Sequence, residues 1–114
     1  LVAKQDKLRL NASKSGAVIA IVMKRDTAQR LPVWEEMAAV TCAVQNMWLV
    51  ASELGLGGYW STGGATNADE IRTLLQLEPE DIHMGWFYLG KFEGQLPNPT
   101  NRIPVEQFTK FITG

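Results

Sequence analysis

Residues able to do chemistry are few and scattered along this chain. His83 is its only histidine and Cys42 its only cysteine. A lone histidine, with no G-x-S-x-G turn and no cysteine motif beside it, does not make a hydrolytic triad. Carboxylates gather at Glu35-Glu36 and at Glu78-Glu80-Asp81. The first pair sits where a helix would begin, and acids there complement the positive end of its dipole. The second group surrounds Pro79 and reads as a turn. Paired-carboxylate chemistry of the glycosidase kind is therefore poorly supported. A single cysteine excludes an intramolecular disulfide and a cysteine metal cluster, and the apolar neighbours of Cys42 predict a small buried hydrophobe. No two ligands stand at metal spacing, so no metal site is expected.

The most informative stretch runs from Ala43 to Gly64, AVQNMWLVASELGLGGYWSTGG, whose one charged residue is Glu53. It reads as a buried helix, a glycine turn, a short strand and a second glycine loop. GLGG is only superficially a phosphate loop. It leaves a helix and enters a strand, the reverse of a nucleotide loop, and lacks the Gly-Lys-Ser/Thr ending. It reads as a turn, with Gly55 as a left-handed helix cap. STGGATN (61–67) is the strand-to-helix loop. Ligands of open α/β sheets bind beyond the carboxyl ends of strands, and a helix start adds free N–H groups. A plain strand-to-helix turn explains the same residues. The loop offers no obvious acid, base or nucleophile, so chemistry there would rest on a bound cofactor.

The elements that must position this loop follow from patterning. AVIAIVMK (17–24) is an apolar run rich in branched side chains, suited to a central strand covered on both faces. From Val33 to Leu54, Met37, Val40, Val44, Met47, Ala51 and Leu54 recur at helical spacing. The polar stripe is narrow, which predicts a helix of ~30 Å buried nearly all round. A strand over 59–62 and a helix from Asn67, with Glu70 completing a capping box, come next. IHMGWFYLG (82–90) is a second strong strand, in which Gly85 and Gly90 allow a bulge or close approach by another backbone. His83 is expected to be a packed or solvent-edge residue there, not a catalyst. The order is α-β-α-β-α-β followed by a tail, in which Phe108 and Phe111 need a surface to dock on.

Composition bounds the rest. The apolar share of 46% and charged share of 20% belong to one globular domain, spanning 1–114. A net charge of -1 provides no field for nucleic acid or anionic lipid, and Lys4, Lys7, Arg9 and Lys14 read as a solvated face. No secretory signal and no membrane-length run occur, so a cytoplasmic setting is the default. The first residues read like the end of a helix, which suggests a piece of a longer protein.

PVWEEMAAVTCAVQNMWLVASELGLGGYWSTGG, followed by Phe87-Tyr88-Leu89-Gly90, resembles the nitroreductase family of FMN-dependent oxidoreductases, especially its short bacterial members. The resemblance covers about residues 8 to 112. It implies an α+β three-layer α/β/α sandwich, with a central mixed sheet flanked by helices and a long buried central helix. It also implies a homodimer with FMN at the subunit interface, NADH or NADPH as reductant, and a nitroaromatic, quinone or related small molecule as acceptor. Flavin N5 carries the hydride, so no catalytic side chain is required. By position, Trp60, Ser61, Thr62 and Gly63 correspond to the segment against the flavin ring, with main-chain N–H groups near N5 and O4. Arg102, in T-N-R-I-P, resembles a basic residue that contacts the FMN phosphate, although an exposed loop arginine would look the same. Val50 to Gly55 correspond to a segment that touches nicotinamide in some relatives. The family's N-terminal arginine-rich helix and a further flavin-lining segment have no counterpart here. The alternative implied is a non-catalytic fragment or dimerisation module that keeps the fold and binds FMN weakly or not at all.

Overall fold

The branched run after Gly16 forms strand β1 (Ala17–Met23), preceded by helix α1 (Val2–Lys14). These and the following elements come from a computed structural model that describes residues 2–63, 68–94 and 101–114. Helix α2 (Val33–Glu53) leads to strand β2 (Leu56–Ser61). Helix α3 (Asp69–Leu74), strand β3 (Ile82–Lys91) and a 3-10 turn at Val105–Gln107 complete the order.

The sheet order is β1-β3-β2. Both ladders are antiparallel, so the mixed character expected of the sheet is not seen among the described residues. The reason lies in the connection. The long α2 carries the chain back along the sheet, so β2 runs in the same direction as β1. β3 then inserts between them in the opposite sense. For the same reason β3, not β1, is the central strand, which corrects the expectation for 17–24.

Register decides the two faces. Trp60 stands opposite Phe87, which stands opposite Ile19 on its other side. This row faces α2. Phe87 is completely buried with Ile21 and Val44, and Val40, Met47 and Trp48 of α2 pack around them. The Trp48 ring meets Phe87 edge-on at 5.3 Å between centroids. The other face carries Tyr59 and Tyr88, stacked at 6.4 Å, and the C-terminal end of α1 lies beside them. Helices thus flank both faces.

α2 is long, as its pattern predicts, but it is not buried nearly all round. Only Val44 and Ala51 are buried, while Trp34, Leu49, Val50 and Leu54 are exposed. Cys42 is exposed as well, against the expectation of a buried hydrophobe. A three-stranded sheet covers one stripe of a helix, and nothing in the described residues covers the rest. The helix ends as expected: Leu54 N–H donates to the carbonyl of Val50 at 3.1 Å, and Gly55 follows with φ +73.

The GLGG turn is a correction. Gly57 and Gly58 belong to β2, paired with Gly90 and Leu89. A Cβ on Gly58 would lie 2.6 Å from Phe87 Cζ and 3.0 Å from Trp48 Nε1. The glycine is needed for packing across the sheet, not for a bend. α3 also starts later than expected, with Ala68 in the N-cap position and no side-chain cap; Asn67 lies outside the described residues.

Candidate functional site

The end of β2 is built by what β3 does beside it. The β2–β3 ladder finishes at Ser61 opposite Trp86. Trp60 is half-buried against the Phe87 cluster, and its Nε1–H donates to the Met84 carbonyl at 2.9 Å. Thr62 and Gly63 follow, both exposed, and Gly64 to Asn67 lie outside the described residues. Four of the residues expected at the site therefore form one continuous strand end. Trp60 has its indole occupied by packing and by Met84, and Thr62 and Gly63 are the exposed residues that follow it.

Arg102 is exposed in the C-terminal segment, and no ion pair among the described residues holds it. Val50 and Leu54, in the segment compared with a nicotinamide contact, are exposed, at 60% and 70%. Of the two places expected for His83, the structure shows the packed one: it is 2% exposed and meets Trp86 edge-on at 4.7 Å.

Two further recesses carry polar groups. One, of about 410 Å³, is lined by Asn11, Lys14, Ser15, Tyr59 and Tyr88. Burial, with the neighbouring Tyr59 phenol adding to it, raises the pKa of the Tyr88 hydroxyl. Sequence reasoning missed this pairing, because Tyr59 and Tyr88 meet only through strand register. The other recess, of about 570 Å³, is lined by Lys24, Asp26, Arg30, Leu31 and Glu36. Its charges satisfy one another or their neighbours. Lys24 pairs with Asp81, Arg25 with Glu36, and Arg30 with Asp26 at 2.9 Å.

That second cluster explains the carboxylates. Glu36 also accepts from the Asp26 N–H at 3.2 Å, so it ties the loop before α2 to the helix and is more than a dipole partner. Asp81 is 3% exposed and accepts from the main-chain N–H groups of Arg25 at 3.0 Å and Glu78 at 2.9 Å. Burial pushes its pKa up, but Lys24 and the two N–H donors together outweigh that and hold it below the usual value. Arg72 closes the same turn by donating to the carbonyls of Glu78, Pro79 and Asp81. These acids fasten loops together. Among the described residues no group of three or more His, Cys, Asp or Glu could hold a metal ion, and no helix is long and apolar enough to cross a membrane.

Comparison with known proteins bears on the family. The family model described as "Nitroreductase family" matches residues 2–91, a span that includes Trp60 to Gly63 and stops short of Arg102. YdjA of Escherichia coli (strain K12), provisionally named an NAD(P)H nitroreductase, is 32% identical over 108 residues, 95% of this chain and 57% of that protein. A Haemophilus influenzae protein with the same kind of provisional name is 24% identical over 102 residues, 89% of this chain and 55% of its own length. Among solved structures, a nitroreductase-like family protein from Bacillus cereus superposes with a TM-score of 0.77 at 28% identity, over 98% of this chain and 59% of that one. A nitroreductase family protein from Streptococcus pneumoniae TIGR4 shares the fold, with a TM-score of 0.54 at 16% identity over 71% of this chain and 41% of its own. The chain thus spans a little over half the length of the curated relatives it matches.

Proposed function

The chain belongs to the nitroreductase family, and from that premise we propose that it forms the larger part of an FMN-dependent oxidoreductase that uses NADH or NADPH. The observation that carries this is the pair of exposed residues Thr62 and Gly63 at the end of a strand whose Trp60 indole is held by the Phe87 cluster and the Met84 carbonyl. The residues present suit a flavin. Gly63 is exposed, and an added Cβ there would meet no atom of the described residues within 4 Å, so a flat ring can approach the backbone closely. Arg102 is an exposed cation of the kind a phosphate takes.

In this reading the Ser61–Gly63 main chain lies along the polar edge of the ring, Trp60 fixes that strand end from behind, and Arg102 pairs with the phosphate. Bound FMN supplies hydride transfer from the nicotinamide to a nitroaromatic, quinone or related acceptor. The chain itself binds, orients and shields the ring.

The same reading makes the protein a homodimer working in the cytoplasm. The outer side of α2 supports the dimer: Trp34, Leu49, Val50 and Leu54 are exposed there at 58–70%. Phe108, Phe111 and Ile112 of the C-terminal segment are more than two-thirds exposed and suit an arm laid across a second copy.

The test is direct. The purified chain is titrated with FMN and with riboflavin, followed by flavin absorbance and fluorescence. Uptake of FMN, with Arg102→Ala weakening FMN more than riboflavin, is the expected result. A chain that takes up neither favours the non-catalytic dimerisation module, and equal loss of both ligands would reject the phosphate role of Arg102. Sedimentation showing a monomer at micromolar concentration would reject the dimer.

A further inference from the structure

The depth at which the Ser61–Gly63 segment lies against the sheet is set by a residue outside that segment. Gly85 has φ +111, a conformation that residues with a side chain rarely adopt. A Cβ added to it would stand 2.3 Å from the Ser61 carbonyl oxygen and 3.1 Å from the Thr62 Cα. The first distance is roughly 1 Å short of ordinary contact. Both obstructing atoms are main chain, so no side-chain rotation relieves the clash.

The neighbouring register explains why a glycine stands there. Ile21 is opposite Gly85, but the next residue, Val22, is opposite His83. Met84 is therefore the extra residue of a β-bulge, and its main chain drops out of the ladder with β1. The bulge also brings His83 and Trp86 to one face, where regular alternation would place them on opposite faces. The Met84 carbonyl accepts the Trp60 Nε1–H instead. Main-chain pairing between β2 and β3 stops at Ser61–Trp86. Beside that end lie the bare Cα of Gly85, close under the Ser61 carbonyl, and the Trp60–Met84 hydrogen bond.

We propose that Gly85 is a positioning residue for the flavin: its missing side chain lets the Ser61–Thr62 backbone lie against β3 and so sets where the Ser61–Gly63 segment meets the ring. This rests on the FMN reading above for its ligand, while the packing itself belongs to the chain without flavin. Because the effect acts at the ring edge, it is equal for FMN and riboflavin, unlike the effect of Arg102.

The experiment compares Gly85→Ala with Gly94→Ala in the full chain. Gly94 has φ +116 but no atom of the described residues within 4 Å of an added Cβ, so it carries the same backbone strain without the Gly85 clash. Amide ¹H–¹⁵N spectra are recorded without flavin, then both variants are titrated with FMN and riboflavin. Gly85→Ala is expected to move the Thr62 and Gly63 amide signals, to weaken both ligands about tenfold, equivalent to one hydrogen bond to the ring, and to shift the absorption band of the bound flavin. Gly94→Ala is expected to do none of these. Wild-type affinity and band position in a folded Gly85→Ala protein would overturn the proposal, as would amide shifts at 62 and 63 no larger than those of Gly94→Ala. If Gly85→Ala does not fold, Trp60→Phe decides, since it removes the indole donor while keeping an aromatic ring in the core; unchanged 62 and 63 amides and an unchanged flavin band would overturn the proposal. If the wild-type chain takes up no flavin, the FMN reading and the ligand named here fall together, while displaced amides would still identify Gly85 as what sets the strand end.

Discussion

Replacing Asp81 by alanine removes a carboxylate that fastens the end of β1 to the turn before β3. Two main-chain N–H groups, from Arg25 at 3.0 Å and Glu78 at 2.9 Å, lose their acceptor. Hydrogen bonds to a charged group contribute about 1.5 kcal/mol or more each, so the pair amounts to about 3 kcal/mol. Lys24 adds little, because its side chain is 64% exposed and water screens the pair, leaving less than about 1 kcal/mol. For a domain of this size a loss of about 3 kcal/mol lowers Tm by roughly 12 °C. Urea unfolding of wild type and Asp81→Ala, repeated from pH 7 downwards, measures it. The folded-state pKa of Asp81 is lowered, so its contribution is fully present above the unfolded value of about 3.9 and is lost as pH falls through the folded value. The gap between the two proteins should stay constant from pH 7 to about 5 and close below about 4. A gap under about 1 kcal/mol at pH 7, or one that widens in acid, would refute this account of the turn.

Other expectations concern packing, charge and ligand. Glu36→Ala leaves Arg25 without its carboxylate in a pair whose side chains are 11% and 12% exposed; it should cost about 3 kcal/mol, and a double-mutant cycle with Arg25→Met should show strong coupling, with simple additivity counting against the pair. Gly58→Ala drives a methyl into Phe87 and Trp48; a loss of about 2 kcal/mol in urea unfolding is expected, and a neutral result would mean the core has room there. Arg72→Ala removes donors to three carbonyls of the turn at 78–81; faster hydrogen exchange confined to that turn and the start of β3 is expected, and unchanged exchange would reject the staple. Phe111→Ser and Ile112→Ser together should weaken self-association without lowering the stability of the monomer, since both side chains are more than 80% exposed; an unchanged sedimentation profile would remove the arm from the dimer reading.

Local signals carried most of the element order. The branched run at 17–23, the three-and-four spacing of α2 and the aromatic run of β3 are each set by side chains close in sequence, and all three form where expected. The family was legible too, because its motif lies in one continuous stretch from Pro32 to Gly64 and in Phe87–Gly90, and the family model covers both. The candidate site was legible as a place, the strand end at Trp60 to Gly63, since a strand followed by glycines announces a loop.

What periodicity could not give was which surfaces meet. An apolar helix has the same pattern whether its second side rests on its own domain, on another chain or on nothing, and α2 has only one side on the sheet. Gly57 and Gly58 look like a turn in sequence, because the reason for Gly58 is Phe87, far along the chain. The carboxylates of Glu36 and Asp81 looked like helix and turn residues until Arg25 and Lys24 arrived beside them. The sequence by itself determined most of the element order and the family. Tertiary structure decided that β3 lies centrally, that Trp60 is anchored on Met84, and that Gly85 leaves room for Ser61 and Thr62. Those facts are contacts between residues more than twenty positions apart, and they come from strand register and a single bulge.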